Sequence, residues 1–187
     1  MKWPVKILVL IVVVMVCSGV AFGQVFKTDK GYVEFLSKAP LNEFTGKSEK
    51  LNGMIDLDKN IIDFFIDLNT LKTGIGLRDR HMRENYLETS KYPFAEFTGK
   101  VNGLNEDLIE KLHAGQSVDA TGKFKIHGQE KSLDVPGTLT LSEDKQSMVL
   151  EASFLIMLSD FDIDIPKVVF YELAEEQKVS IKATLKP

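Results

Sequence analysis

The sequence predicts an all-β domain: an antiparallel sheet of about eight short strands, closed into a barrel or folded as a sandwich. Three observations lead there. Apolar and polar residues alternate with period two over most of the chain. Turn signals punctuate the runs, as at 58–60, 128–129 and 142–146. Only two segments carry a helical pattern, so no strand–helix–strand rhythm builds a parallel sheet.

The first 23 residues read as a secretory signal peptide. Lys2 and Lys6 precede an unbroken apolar run over 7–16, and Ala21 and Gly23 fit the small-residue positions of a cleavage site. The run falls short of the ~20 apolar residues that a membrane-spanning helix needs. The alternatives are an uncleaved anchor or a lipid on Cys17, although "VMV" before Cys17 lacks the small residue that lipidation expects. The folded domain is expected over 24–187, in the periplasm or secreted. Cleavage takes the only Cys with it, so no disulfide and no thiol chemistry is expected. It also removes Lys2 and Lys6 from the 23 basic residues, leaving 21 against 27 acidic ones, a formal charge of −6. That balance argues against nucleic acid as a partner and against wholesale binding to an anionic membrane surface, leaving transient membrane contact open.

Strands are expected at 31–37 and 49–57. "IDFFIDL" then sets Ile62, Phe64, Ile66 and Leu68 opposite Asp63, Phe65 and Asp67. A helix is expected over 76–87, a strand over 94–102, and a second helix over 105–115, acidic in its first turn and ended by Gly115. "DATGKFKIHG" sets Ala120, Phe124 and Ile126 opposite Lys123, Lys125 and His127. After a strand at 131–142, "SMVLEASFLIM" aligns Met148, Leu150, Ala152, Phe154 and Ile156, with further apolar residues on its other face. "KVSIKATLK" closes the set with Val179, Ile181, Ala183 and Leu185 on one face. A closed sheet of eight such strands has an interior that side chains can fill or that can hold one slender ligand, and the pattern does not distinguish the two.

Several motifs occur in a telling order. Phe44 and Gly46 precede Gly53-Met54-Ile55-Asp56-Leu57, and Leu71, Thr73 and Gly74 form a turn. "RDRHMR" follows from Arg78 to Arg83, then Lys91-Tyr92-Pro93, then a strand from Gly122 to the His127-Gly128 pair. In this order and spacing the chain resembles the YceI-like family over about 29–186. The resemblance implies a lipocalin-like, eight-stranded antiparallel barrel with one or two short helices. It also implies binding, storage or transport of a long apolar lipid, of polyisoprenoid or isoprenoid-quinone type, in the bacterial periplasm. The chain departs from the family pattern in lacking a His in "GYVEFLSKAPLNEF". Ile165 and Pro166 match a branch that keeps an I-P turn before the last strand.

The densest chemistry lies in "RDRHMR". As an active site it would use His81 as a base oriented by Asp79. On a helix, however, those two residues do not face each other, whereas Asp79–Arg83 and Arg80–Glu84 are spaced as ion pairs. No nucleophile elbow or thiol completes a catalytic set, so no enzyme is expected. His81, His113 and His127 are isolated, and Asp160, Asp162 and Asp164 lack the glycine and distal Glu of a calcium loop, so no metal and no cofactor is expected. Arg78, Asp79, His81 and Arg83 remain as a clasp over the barrel or as contacts to a polar lipid head, which arginine's forked donors suit.

A lipid tail offers only apolar surface, so its affinity comes from desolvation, ~25 cal/mol per Å². The expected tunnel residues are Phe35, Phe44, Ile55, Leu57, Phe64, Ile66, Phe97, Phe124, Ile126, Leu150 and Phe154. Two other readings stay open: a filled barrel acting through its surface, and an enzyme on an isoprenoid lipid. Homodimerisation through a strand edge or an apolar patch is also open.

Overall fold

The computed structural model describes residues 25–165 and 173–187. The expected signal peptide and Pro166 lie outside the described residues. Eight strands follow one another in chain order: β1 (Val25–Ala39), β2 (Asn42–Asp56), β3 (Ile61–Asp67), β4 (Phe94–Val101), β5 (Gln116–Ile126), β6 (Gln129–Leu141), β7 (Met148–Met157) and β8 (Glu176–Leu185). Each pairs antiparallel with the next, and β8 returns to β1, closing the barrel. Closure resolves the choice between barrel and sandwich.

The alternating residues fall as expected on β3, β5, β7 and β8, with the apolar set inward. The strands β1 and β2 are longer than the sequence pattern suggests. The pairing Thr28↔Gly53, Gly31↔Leu51, Val33↔Ser48 shows why: each strand carries one extra residue, in different places. A bulge flips the phase of alternation. Inward residues are thus Phe26 before the bulge of β1 and Val33, Phe35 and Ser37 after it, and no single period-two run spans either strand.

Antiparallel order sorts the connections onto two ends. At one end lie the β2–β3 turn, the β4–β5 connection and the β6–β7 turn. The first is tied by Asn60, whose side chain bonds both the N–H and the C=O of Val101 at 2.9 Å. The second carries α2 (Glu106–Lys111), capped by the Asn105 side chain on the Leu108 N–H, and runs into a 3₁₀ turn (Leu112–Ala114). Leu112 from that turn, with Phe26, Leu57, Leu141, Met148 and Leu185, is almost wholly buried and forms a solid floor.

The other end is a mouth. Its connections are the β1–β2 hairpin, the long β3–β4 crossing, the His127-Gly128 turn and the β7–β8 connection. His127 and Gly128 both have positive φ, 53° and 80°, as a two-residue hairpin turn of the I′ type needs. The β3–β4 crossing carries α1 (Gly76–His81), which continues as a π-helical turn (Met82–Tyr86).

Candidate functional site

The barrel is hollow above its floor. A cavity of about 420 Å³ lies inside it, walled by inward side chains of all eight strands and by α1 with its π turn. Of the expected tunnel residues, Phe35, Phe44, Ile55, Phe64, Ile66, Phe97, Phe124, Ile126, Leu150 and Phe154 line it. Leu57 does not. It follows the end of β2 and is buried in the floor, so its place in the period-two pattern gave the correct face and the wrong depth.

Glycines hold the lumen open. Gly46 pairs with Phe35 across β1–β2, and Gly53 with Phe64 across β2–β3. Each ring lies against its glycine, within the space that a Cβ there would fill. The Phe97 ring similarly covers Gly122, where a Cβ would come to 2.7 Å of Cζ. Aromatic rings laid flat on glycine become wall instead of core. On the opposite side, Phe124 meets Phe154 and Phe161 edge to face at 5.8 and 5.5 Å.

The "RDRHMR" segment is not the ion-paired, solvated helix that its spacing suggests. Asp79 is 7% exposed, and its Oδ1 accepts the Thr73 N–H at 2.7 Å and the Thr73 hydroxyl at 2.6 Å. Burial pushes the carboxyl up, but the two Thr73 bonds, with Lys72 and Arg83 nearby, outweigh it and hold Asp79 below the usual carboxylate range. No Asp79–Arg83 or Arg80–Glu84 ion pair forms among the described residues. The turn from α to π geometry at Met82 explains part of this, since side chains four apart no longer stack across it. One guanidinium nitrogen of Arg83 is buried without a hydrogen-bond partner. Arg78 lies with its guanidinium carbon 4.2 Å from the centre of the Phe44 ring, pinning α1 to β2 across the mouth. Arg78 and His81 line the cavity; Asp79 and Arg83 do not.

His127 and Tyr92 close the far side of the mouth. The His127 Nδ1 lies 3.0 Å from the Phe161 carbonyl, and its ring meets Tyr92 edge to face at 4.9 Å. Among the described residues no group of three His, Cys, Asp or Glu is placed to hold a metal. The Asp160 and Asp162 side chains are engaged instead by Lys131 at 3.8 Å and Gln129 at 2.6 Å.

Other lining residues were not among those expected, and Gln177 is the buried polar one. Gln177, the first inward residue of β8, faces the lumen and is 4% exposed. Its position two before Val179 puts it in phase with the inward stripe, which was the available signal.

The model of the YceI-like domain matches residues 25–186. The chain belongs to the YceI-like family. Solved structures agree on the fold. A polyisoprenoid binding domain from Saccharophagus degradans, implicated in plant cell wall breakdown, superposes with a TM-score of 0.74 at 18% identity, covering 87% of this chain and 98% of that one. Burkholderia cenocepacia BcnA gives 0.66 at 17% identity, over 84% and 97% of the two chains. A Campylobacter jejuni YCEI protein gives 0.61 at 18% identity, over 76% and 84%. No protein of the curated set matches the sequence. Family and fold thus agree on a closed antiparallel barrel of the YceI-like type.

Proposed function

We propose that this YceI-like protein binds, stores or carries a long apolar lipid, of polyisoprenoid or isoprenoid-quinone type, with the tail in the barrel lumen. The carrying observation is the lumen itself: about 420 Å³ of space, walled almost entirely by Phe, Leu, Ile, Val and Ala. Its size falls in the range of small-molecule sites, and its apolar wall suits a ligand held by desolvation. The filled-barrel reading has this space against it. The enzyme reading lacks support because Asp79, its orienting acid, is committed to Thr73.

The location in this proposal is the periplasm, reached by way of the N-terminal segment. Arg78 and His81 stand at the mouth where a polar head would emerge. The mouth end also carries exposed apolar side chains, Leu41 at 77%, Ile75 at 50% and Leu77 at 54%. These are suited to brief contact with a bilayer from which the lipid is taken up. Solvent extraction of the purified protein, followed by mass spectrometry, tests the reading. A stoichiometric isoprenoid lipid is expected, either as isolated or after incubation with candidate lipids. Absence of any lipid under both conditions would sink it.

A further inference from the structure

The lumen has a closed end and a definite width, and together they set what it can hold. Leu57, Leu141 and Met148 are at most 3% exposed, and none of them borders the lumen. The inward residue one step nearer the mouth does so in each case: Ile55 above Leu57, Leu139 above Leu141 and Leu150 above Met148. The empty space therefore stops on one layer of packed side chains.

The depth above that layer follows from β5. Val118 near the floor and Ile126 at the mouth both line the lumen. Their separation along an antiparallel strand is ~27 Å. The tilt of ~35–45° that a closed barrel imposes reduces this to a depth of ~20 Å. A volume of about 420 Å³ spread over that depth has a mean cross-section of roughly 20 Å², or about 4.5 Å across. Carbon atoms in contact lie ~3.5–4.0 Å apart, so one extended hydrocarbon chain fills this width and two side by side do not. An isoprene unit puts four carbons into the chain, and bonds of ~1.5 Å in an extended zigzag give ~5 Å per unit.

Resting on the lipid-binding reading above, we propose that the floor is a chain-length stop and that the lumen takes a single tail of about four isoprene units. Leu141 and Met148 are then specificity-determining residues, although they touch only the tail's far end. A shorter tail leaves part of the wall without contacts. A longer one meets the floor and leaves its surplus units beyond the mouth, with their apolar surface in water. Lipids with two chains, such as diacyl phospholipids, are excluded by width.

The test is a competition among tails. The purified protein is incubated with an equimolar mixture of geraniol, farnesol, geranylgeraniol and solanesol in detergent micelles, separated from the micelles, extracted and read by mass spectrometry. In micelles every unit starts in apolar surroundings, so the preference reports the capacity of the lumen and not solubility. Geranylgeraniol is expected to dominate, and to exceed solanesol, whose tail is more than twice as long, by at least about tenfold. Ala120 lines the lumen low on β5, and Ala120→Phe fills space there, so the optimum should move to farnesol. Met148→Ala should move it the other way and raise the share of solanesol. Wild-type protein that retains solanesol as well as geranylgeraniol, or that takes a diacyl phospholipid added to the mixture in its place, overturns the proposal. An optimum that stays at geranylgeraniol in folded Ala120→Phe overturns it too. If no prenol is retained, the lipid-binding reading itself fails and the proposal with it, whereas a load indifferent to length sinks the chain-length stop alone. The wild-type comparison needs no mutation, so a poorly folded variant does not rescue the proposal from a negative result.

Discussion

The Asp79 carboxylate receives both the backbone N–H and the hydroxyl of Thr73 on a single oxygen. This joins the start of the β3–β4 crossing to α1, around a turn in which Gly74 has a φ of 82°. With Arg78 on the Phe44 ring, the pair ties α1 to the wall at the mouth.

Replacing Asp79 with Ala should cost about 2 kcal/mol, the scale of a hydrogen bond to a buried charge, with further loss from the Thr73 N–H left unpaired. The pH dependence has a definite sign. The folded carboxyl titrates below its unfolded value of about 3.9, so its contribution is complete above that value and fades as pH falls through the lower folded value. The gap in urea midpoint between wild type and Asp79→Ala should be full at neutral pH and close progressively below about pH 4. A gap that is unchanged at pH 3 would show that the loss is one of packing alone.

Much of this architecture was legible in the residues, and the illegible parts have physical causes. Strands β3, β5 and β8 keep one phase throughout, so "IDFFIDL", "DATGKFKI" and "KVSIKATL" report their inward faces directly. The bulges in β1 and β2 break that phase, and the front half of β2 went unread. Period two reports which face a residue takes and says nothing of its depth, which is how Leu57 passed for a tunnel residue. Hollowness was also hidden. Phe35 and Phe64 look alike in sequence whether a ring fills the lumen or lies on its wall, and the difference is made by Gly46 and Gly53 on the neighbouring strand. The Thr73–Asp79 bond competes with helical pairing in a way that spacing cannot reveal.

Those glycines give the next prediction. Gly53→Ala places a methyl where the Phe64 ring lies, and the ring must swing toward the lumen. Overpacking of this kind costs about 1–3 kcal/mol. The distinguishing outcome is a smaller lipid load, measured by extraction, at temperatures where the variant is fully folded. Gly74→Ala, where a Cβ would meet nothing within 4 Å, is the control: its positive φ lowers stability but should leave the load intact.

Floor and wall should respond oppositely to truncation. Leu112 is 0% exposed and packs in the solid end, so Leu112→Ala should cost about 2–5 kcal/mol while leaving the lumen's affinity for lipid largely unchanged. Phe35 already borders empty space on one side. It has fewer partners to lose, and Phe35→Ala should cost less stability in the lipid-free protein than the ~3–5 kcal/mol of a fully packed Phe. Its larger effect should be on lipid retention, because the ring's contact with the tail goes too. Denaturant midpoints and lipid off-rates for both variants check the contrast, and equal stability losses would contradict it.

The mouth should matter for rates more than for affinity. Leu41 and Leu77 project at the mouth end, on the β1–β2 hairpin and on α1, and burying a leucine from water is worth about 1.5–3 kcal/mol. If the lipid is loaded from a bilayer through this end, Leu41→Glu combined with Leu77→Glu removes that gain and adds repulsion from anionic headgroups. Uptake from vesicles containing phosphatidylglycerol should slow by at least about tenfold, since two such contacts outweigh 1.4 kcal/mol. The equilibrium affinity for a lipid supplied in detergent should stay the same, because neither leucine's exposed surface depends on the filled lumen. Unchanged vesicle uptake would instead place loading in free solution, by way of monomeric lipid or a protein donor.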